Sequence, residues 1–132
     1  METDNLQYLF RLLKKRGEKV VPLLSRVVLK HCRSADVEHE KRWRQFMHFN
    51  HHPNTICYAA ASAQLSDEHK IGLLAHELGH AAARYLGLWE NHDERDAQRL
   101  GSAMLGSMVL YRGSERLEWA VIPAWLKQEL GV

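Results

Sequence analysis

The stretch His76-Glu77-Leu78-Gly79-His80 places two histidines four residues apart, with a glutamate directly after the first. In a helix, residues four apart lie one turn above each other, so both imidazoles can face the same metal ion. A carboxylate next to such a ligand can act as general base toward a water molecule at the metal. The pentapeptide therefore predicts a helix that carries a metal site.

The residues on both sides of this motif favour a long helix from about Asp67 to Leu86. Ser66 is a good N-cap, and the acidic residues after it suit the positive end of the helix dipole. An apolar run precedes His76, three alanines follow His80, and Gly87 is a typical residue just past a helix end.

A catalytic zinc usually takes three protein ligands and leaves a fourth position open. In the metzincin pattern a histidine six residues after the second ligand is the third, behind a glycine; here these positions hold Leu86 and Ala83, which excludes that class. A second helical pattern opens at Asp93, and Glu94 in its first turn completes a His-His-Glu set if the two helices pack side by side. The alternatives are no third ligand, or a third ligand from His92, Asp96 or Glu90.

The two motifs together resemble those of gluzincin-type zinc peptidases, most nearly the ImmA/IrrE-like group, with relatives among the membrane-embedded HtpX-like peptidases. The resemblance covers about residues 55–105 and rests on two stretches, Leu74-Ala75-His76-Glu77-Leu78-Gly79-His80-Ala81 and Glu94-x-x-Ala97-x-x-Leu100-Gly101-x-x-Met104-Leu105. It implies that His76, His80 and Glu94 bind Zn²⁺ and that Glu77 is the catalytic base of peptide-bond hydrolysis.

Two features differ from that group. The spacing from His80 to Glu94 is shorter than in ImmA-like proteins, and Gln98 stands where related peptidases often carry Asp or Asn. A glutamine amide oxygen can still accept a hydrogen bond from a ligand histidine. His92 resembles in its spacing the third ligand of SprT-like DNA–protein-crosslink proteases, but the sequence around it lacks their glycine-rich, aromatic context.

Length and pattern predict one α+β domain over residues 1–132, a small zincin-like domain with helices packed on a short hairpin or sheet. Helices are expected over Asp4–Arg16, ended by Gly17, and over Pro22–Cys32. Two strands, Arg42–Phe49 and Thr55–Ala60, are expected to form a hairpin, although the first also suits a helix. The strand with Ile56, Tyr58 and Ala60 is expected to offer its edge to a substrate peptide.

The C-terminal half is expected to begin with the second metal-site helix, Asp93–Tyr111, whose small residues allow a close approach to the first. A strand over Leu117–Val121 and a short helix over Ala124–Leu130, begun by Pro123, follow. Trp119 and Trp125 are expected in a satellite core, with a dimer contact as the alternative.

Charge is distributed unevenly along the chain. Residues 11–44 hold eleven Lys/Arg against four Asp/Glu, a balance of +7, which leaves −5 for the remainder of the net +2. Such a segment can bind nucleic acid, but solvated faces of amphipathic helices produce the same imbalance, and no recognised nucleic-acid motif accompanies it. We expect a protein or peptide substrate as the partner, with nucleic acid as the alternative; the sequence does not predict a homo-oligomeric state.

No stretch reaches the length of a membrane-spanning helix, and Met1–Asn5 is acidic and polar, unlike a secretory leader. Cys32 and Cys57 are too few for a disulfide framework and predict reduced thiols in a cytoplasmic protein. These features predict neither a membrane segment nor secretion.

Three functions agree with these patterns: a zinc endopeptidase, a zinc- or peptide-binding regulatory module without turnover, and a SprT-like DNA-associated protease. Glu77 favours an enzyme, because a binding module needs no base beside its metal. The residue that stabilises the oxyanion is open among Tyr58, Tyr111, His92 and Arg99. The histidines of the expected hairpin predict either an exposed turn or one imidazole facing the cleft: His48, His51 and His52.

Overall fold

A computed structural model describes residues 2–31, 47–50, 54–112 and 117–131. Within these ranges the chain forms four α-helices and five β-strands, which confirms the α+β class. The elements are α1 (Glu2–Glu18), β1 (Val28–His31), β2 (Met47–Asn50), β3 (Thr55–Tyr58), α2 (Asp67–Tyr85), α3 (Glu94–Leu105), β4 (Val109–Arg112), β5 (Leu117–Ala120) and α4 (Ala124–Leu130). Short 3₁₀ turns occupy Pro22–Arg26, Ala60–Gln64 and Trp89–Asn91.

The metal-motif helix α2 is the centre of the core, and residues 70–79 and 81–83 of it are buried. The Ser66 hydroxyl caps its start by accepting a hydrogen bond from the His69 backbone N–H (3.4 Å). Leu86 ends it, and the chain leaves through Gly87 at a φ of 76°. Both predicted ends of this helix are confirmed to within one residue.

A three-stranded sheet lies beside α2 in the order β1–β3–β2. Strand β3 pairs in parallel with β1 and antiparallel with β2, so the predicted hairpin is confirmed for 47–49 and 55–58, and β2 extends one residue further, to Asn50. Residues 42–46 and 51–53 of that prediction lie outside the described ranges, and Ala60 begins a 3₁₀ turn. Because β3 has a neighbour on each side, the prediction that it offers an edge to substrate is wrong; β1 and β2 are the outer strands among those described.

The predicted helix over Pro22–Cys32 is wrong: a single 3₁₀ turn leads into strand β1. Val27 and Leu29 are buried while Val28 and Lys30 are exposed, an alternation with the period of a strand. β-Branched valines also favour strands over helices. Cys32 lies outside the described residues.

Two further helix ends differ from the prediction. α1 continues through Gly17 to Glu18, and a Cβ on Gly17 would lie only 2.8 Å from Leu24 Cδ1, so the glycine makes room for a core leucine. α3 stops at Leu105 because Gly106 adopts a φ of 75°, and the residues expected to continue the helix to Tyr111 form β4 instead.

From β5 onward the C-terminal elements agree with the sequence prediction. β4 and β5 pair antiparallel, and α4 begins directly after Pro123. Trp125 packs against the core, donates its indole N–H to the Leu105 carbonyl (2.8 Å) and lies under the Arg16 guanidinium (4.8 Å).

Cys57 is buried in β3 and disulfide-bonded, so the prediction of a reduced thiol is wrong at this position. Disulfides are typical of oxidising compartments, and the cytoplasmic prediction therefore loses the support of the cysteines. In the part of the chain that the structure describes, no helix has both the length and the apolar character that crossing a bilayer requires.

Candidate metal centre

Three side chains from two helices converge at one point. His76 and His80 lie one turn apart on α2, and Glu94 is the first residue of α3. The His76 Nε2 atom lies 2.6 Å from Glu94 Oε2, His80 Nε2 lies 3.2 Å from the same oxygen, and the two Nε2 atoms are 3.2 Å apart. Among the described residues, these three form the only group of at least three potential ligands whose donor atoms lie within 4.8 Å of one another.

The donor set fits a zinc ion. Tetrahedral zinc with nitrogen and oxygen ligands at about 2.0–2.2 Å separates neighbouring ligand atoms by roughly 3.3–3.6 Å. The two separations of 3.2 Å from His80 Nε2 are close to this value. The shorter contact of 2.6 Å between His76 and Glu94 is a hydrogen bond, which has to lengthen when a metal binds.

Two glycines bring α3 against α2 and so carry Glu94 to the histidines. A Cβ on Gly79 would lie 2.0 Å from the Ala97 carbonyl oxygen, and one on Gly101 would lie 2.3 Å from that of Ala75. Side chains at either position would hold the helices apart. The prediction that small residues allow this close approach is thus confirmed at Gly101.

The start of α3 is fixed by a capping box. The Asp93 carboxylate accepts from the Asp96 backbone N–H (2.9 Å), and the Asp96 carboxylate accepts from that of Asp93 (3.1 Å). Asp96 is therefore engaged in the cap and is not part of the converging set. Glu94, although its side chain is 77% exposed, is held at the position where the helix begins beside α2.

Glu77 is buried beside the ligands and lines the same cavity. Its carboxylate has no hydrogen-bond partner among the described residues. In the absence of a metal, burial raises the pKa of Glu77; the positive charge of His76 opposes this, the negative charges of Glu118 and Glu94 add to it, and the result is about 8.

The contact between His76 and Glu94 is a charge pair in the metal-free site. Burial lowers the pKa of His76, but its hydrogen bond with Glu94 and the charges of three glutamates outweigh burial and raise this pKa to about 9. Hydrogen bonds from His76 and His80 hold the pKa of Glu94 well below its usual range. A metal that binds here has to displace the shared proton.

His92 contacts His80 at Nδ1, whereas Nε2 of His80 faces Glu94, and His92 is not one of the three converging donors. His92 Nδ1 lies 2.6 Å from the Trp89 carbonyl oxygen, which can only accept, so this nitrogen carries the proton. His92 Nε2 is then an acceptor, and His80 Nδ1, at 2.8 Å, donates to it. These two hydrogen bonds place the proton of a neutral His80 ring on Nδ1. The lone pair of His80 Nε2 is therefore available to a metal. His92 as third ligand is not supported.

We expect His92→Ala to weaken zinc binding about 10- to 100-fold without abolishing it, because His80 loses the acceptor that fixes its tautomer. Titration of the metal-free protein with zinc against a competing chelator measures this affinity. His92→Gln, whose amide oxygen can accept the same bond, is expected to recover part of the loss. Failure of His92→Ala to bind zinc even at saturating metal would instead make His92 a ligand.

The hydrogen bond that Gln98 could accept from a ligand histidine is not formed among the described residues. His80 Nδ1 is bonded to His92, and His76 Nδ1 is buried without any hydrogen-bond partner in the described structure. The Gln98 side chain lines the cavity without contacting either ring through a hydrogen bond.

Glu118, which sequence reasoning missed, faces the site from β5. Glu118 is 9% exposed, and its Oε1 atom lies 3.8 Å from His76 Nε2. The backbone of β5 lies directly on α2: a Cβ on Gly72 would lie 2.3 Å from Trp119 Cα, and His69 Nδ1 donates to the Glu118 carbonyl (3.1 Å). Burial raises the pKa of Glu118, against the opposing effect of His76. No local motif marks this residue, because strand pairing alone brings it to the helix.

The site opens into a cavity of about 880 Å³. Five acidic and basic residues of the centre line it: His76, Glu77, His80, Glu94 and Glu118. The other lining residues come from β2, α2, the loop before α3, α3 and β4: Met47, His48, Phe49, Leu73, Trp89, Arg95, Gln98, Val109 and Leu110. His48 therefore faces the cleft, as one of its two predicted alternatives required. His51 and His52 lie outside the described residues.

Two of the residues predicted as oxyanion stabilisers, Tyr58 and Arg99, lie away from the cavity. Tyr58 is buried in β3 against His31 (ring centroids 5.4 Å apart), and Arg99 is exposed beside Asp96 (4.0 Å). Neither lines the cavity.

Comparison with known proteins finds no matching family model, no matching curated protein and no matching solved structure.

Proposed function

We propose that this chain is a zinc-dependent peptidase with a zincin-like site of the gluzincin type, in which His76, His80 and Glu94 hold the metal and Glu77 is the general base. The observation that carries the proposal is the convergence of these three donors beside a buried carboxylate in an open cavity. A pure metal-storage or structural site does not require an unpartnered acid at that position.

When bound, zinc supplies a Lewis acid that polarises a carbonyl and lowers the pKa of water. Glu77 takes a proton from the attacking water, whose oxygen bonds to the carbonyl carbon of the peptide. The carbon–nitrogen bond then breaks, and Glu77 returns the proton to the leaving amine.

The outer strand β2 supports a peptide as substrate. Met47, His48 and Phe49 line the cavity, and among the described strands β2 pairs only with β3. An extended peptide that binds along this strand would lie beside the metal position. Trp89, whose ring stands 5.8 Å from that of Phe49, closes one end of this wall.

The first experiment is zinc stoichiometry in the wild type and in Glu94→Ala, with Glu90→Ala, an exposed glutamate near the site, as the matched control. We expect one zinc per chain in wild type and control, and strongly weakened binding in Glu94→Ala. Zinc should also raise the melting temperature, since free zinc at 1,000 times its Kd stabilises a folded protein by about 4 kcal/mol. A wild type that binds no zinc after reconstitution would contradict the proposal.

Hydrolysis is then measured with a mixture of short peptides, followed by mass spectrometry. A zinc-loaded wild type that cleaves peptides is expected. Stoichiometric zinc without cleavage would favour the regulatory, non-turnover module, and cleavage that requires DNA would favour the DNA-associated class.

A further inference from the structure

Glu118 is a buried carboxylate that the proposed mechanism does not use. It is 9% exposed and lines the cavity next to His76. Apart from its own backbone N–H, its one close polar neighbour among the described residues is His76 Nε2, at 3.8 Å. That nitrogen has no proton to donate once it serves as a metal ligand, so Glu118 then lacks a side-chain partner among the described residues. A buried carboxylate without a partner is costly unless a cation balances it.

Glu118 does not belong to the candidate ligand set. No group of three described ligands within 4.8 Å of one another includes Glu118, so its oxygens lie to one side of the His76–His80–Glu94 set. No lysine or arginine among the described residues forms an ion pair with Glu118. A buried carboxylate that lines the cavity without such a pair can bind a positively charged group of a substrate beside the metal position.

We propose that Glu118 binds the α-ammonium group of the substrate, so that the peptidase acts on the residue at a free N-terminus. This inference rests on the proposed function. When the carbonyl of an N-terminal residue lies at the metal position, the α-ammonium group of that residue is only one carbon atom away. A carboxylate next to a ligand atom, as Glu118 is next to His76 Nε2, lies at a suitable distance to bind this group. A lysine ammonium is separated from the carbonyl by its whole side chain and reaches farther into the cavity. Strand β5, held on α2 at Gly72, fixes Glu118 at this short range.

Binding of two matched probes to the zinc-loaded protein tests the proposal by calorimetry. Leucine hydroxamate and N-acetyl-leucine hydroxamate both offer a chelating group to zinc, but only the first carries an ammonium group. We expect wild type to bind the free amine about 10- to 100-fold more tightly, the range typical of a hydrogen bond to a charged group. Glu118→Gln should lose this preference while keeping its affinity for the acetylated probe and its zinc. Glu68→Gln, an exposed change on α2, should behave like wild type.

Other outcomes overturn the inference in distinct ways. Equal affinity of wild type for the two probes removes the α-ammonium site and leaves the peptidase proposal intact. Loss of zinc from Glu118→Gln would make Glu118 a ligand. Preference for Nα-acetyl-lysine hydroxamate over the acetylated leucine probe, lost in Glu118→Gln, would assign the carboxylate to a side-chain cation. A wild type without zinc would instead reject the proposed function. The wild-type comparison needs no variant, so it decides the question even if Glu118→Gln does not fold.

Discussion

Glu77→Gln is expected to keep one zinc per chain and to lose peptide hydrolysis by about 100- to 10,000-fold, the usual contribution of a general base. The amide has nearly the shape of the carboxylate and leaves His76, His80 and Glu94 untouched, but it cannot accept a proton. Hydrolysis of a cleaved peptide and zinc content are measured on the same preparation. Glu68→Gln, on the exposed face of the same helix, is the matched control and should retain wild-type activity.

This variant also separates a chemical role from a structural one. Burial raises the pKa of Glu77 to about 8, which means that the folded protein resists ionising this group. A neutral glutamine removes that cost, so the metal-free variant should melt no lower than the wild type at pH 8 or above. Full activity in metal-replete Glu77→Gln would remove Glu77 from the mechanism. A loss of activity accompanied by a lower melting temperature would point to damaged folding instead.

The helix that carries the metal motif was predictable because all of its signals are local. Ser66, the acidic first turn and Gly87 mark both ends of the helix without reference to any other element. The histidine spacing likewise fixes the geometry of His76 and His80 within a single turn. Glu94 was predictable for a related reason: it opens the next helix after a short connection, and helices joined by short loops pack side by side.

The errors fall where tertiary partners decide the structure. Residues 27–30 include apolar side chains that suit a helix by composition. From Val28 onward, however, the chain pairs in parallel with β3, and Leu29 is buried in the core. From α1, Gln7 and Lys14 donate side-chain hydrogen bonds to the carbonyls of Leu29 and Val27 (3.1 and 3.2 Å). Such bonds satisfy backbone groups of the outer strand β1, and no local pattern predicts them.

Glu118 and His92 show the same limit within the site. His92 was recognised as a potential ligand from its spacing, but which neighbour its ring contacts depends on the loop that places Trp89 and His80 around it. Glu118 lies far along the chain from the motif and reaches His76 only because β5 crosses α2 at Gly72. Sequence spacing therefore predicted the three side chains that converge, whereas His92 and Glu118, which surround them, required the fold.

Gly101→Ala is expected to lower both the free energy of unfolding, by up to about 2 kcal/mol, and the affinity for zinc. Alanine gains about 1 kcal/mol of helix propensity over glycine, but its Cβ would lie 2.3 Å from the Ala75 carbonyl oxygen, well inside contact distance. Overpacking of a side chain costs about 1–3 kcal/mol, and backbone, unlike a flexible side chain, cannot rotate away. The clash therefore outweighs the gain in propensity.

Gly101→Ala also tests what positions Glu94 beside the two histidines, because α3 is freer to move than α2. α2 is buried on nearly every side around Ala75, whereas α3 begins at the exposed rim with Glu94. We expect α3 to move away and to carry Glu94 from His76 and His80, so zinc affinity falls together with stability. Ala103→Val, which adds bulk on the exposed face of α3, is the control and should change zinc affinity little. Denaturant unfolding of the metal-free proteins and a zinc competition titration give the two quantities separately. Wild-type zinc affinity in Gly101→Ala, despite lost stability, would mean that Glu94 is positioned by its capping box alone and not by the glycine contact between the helices.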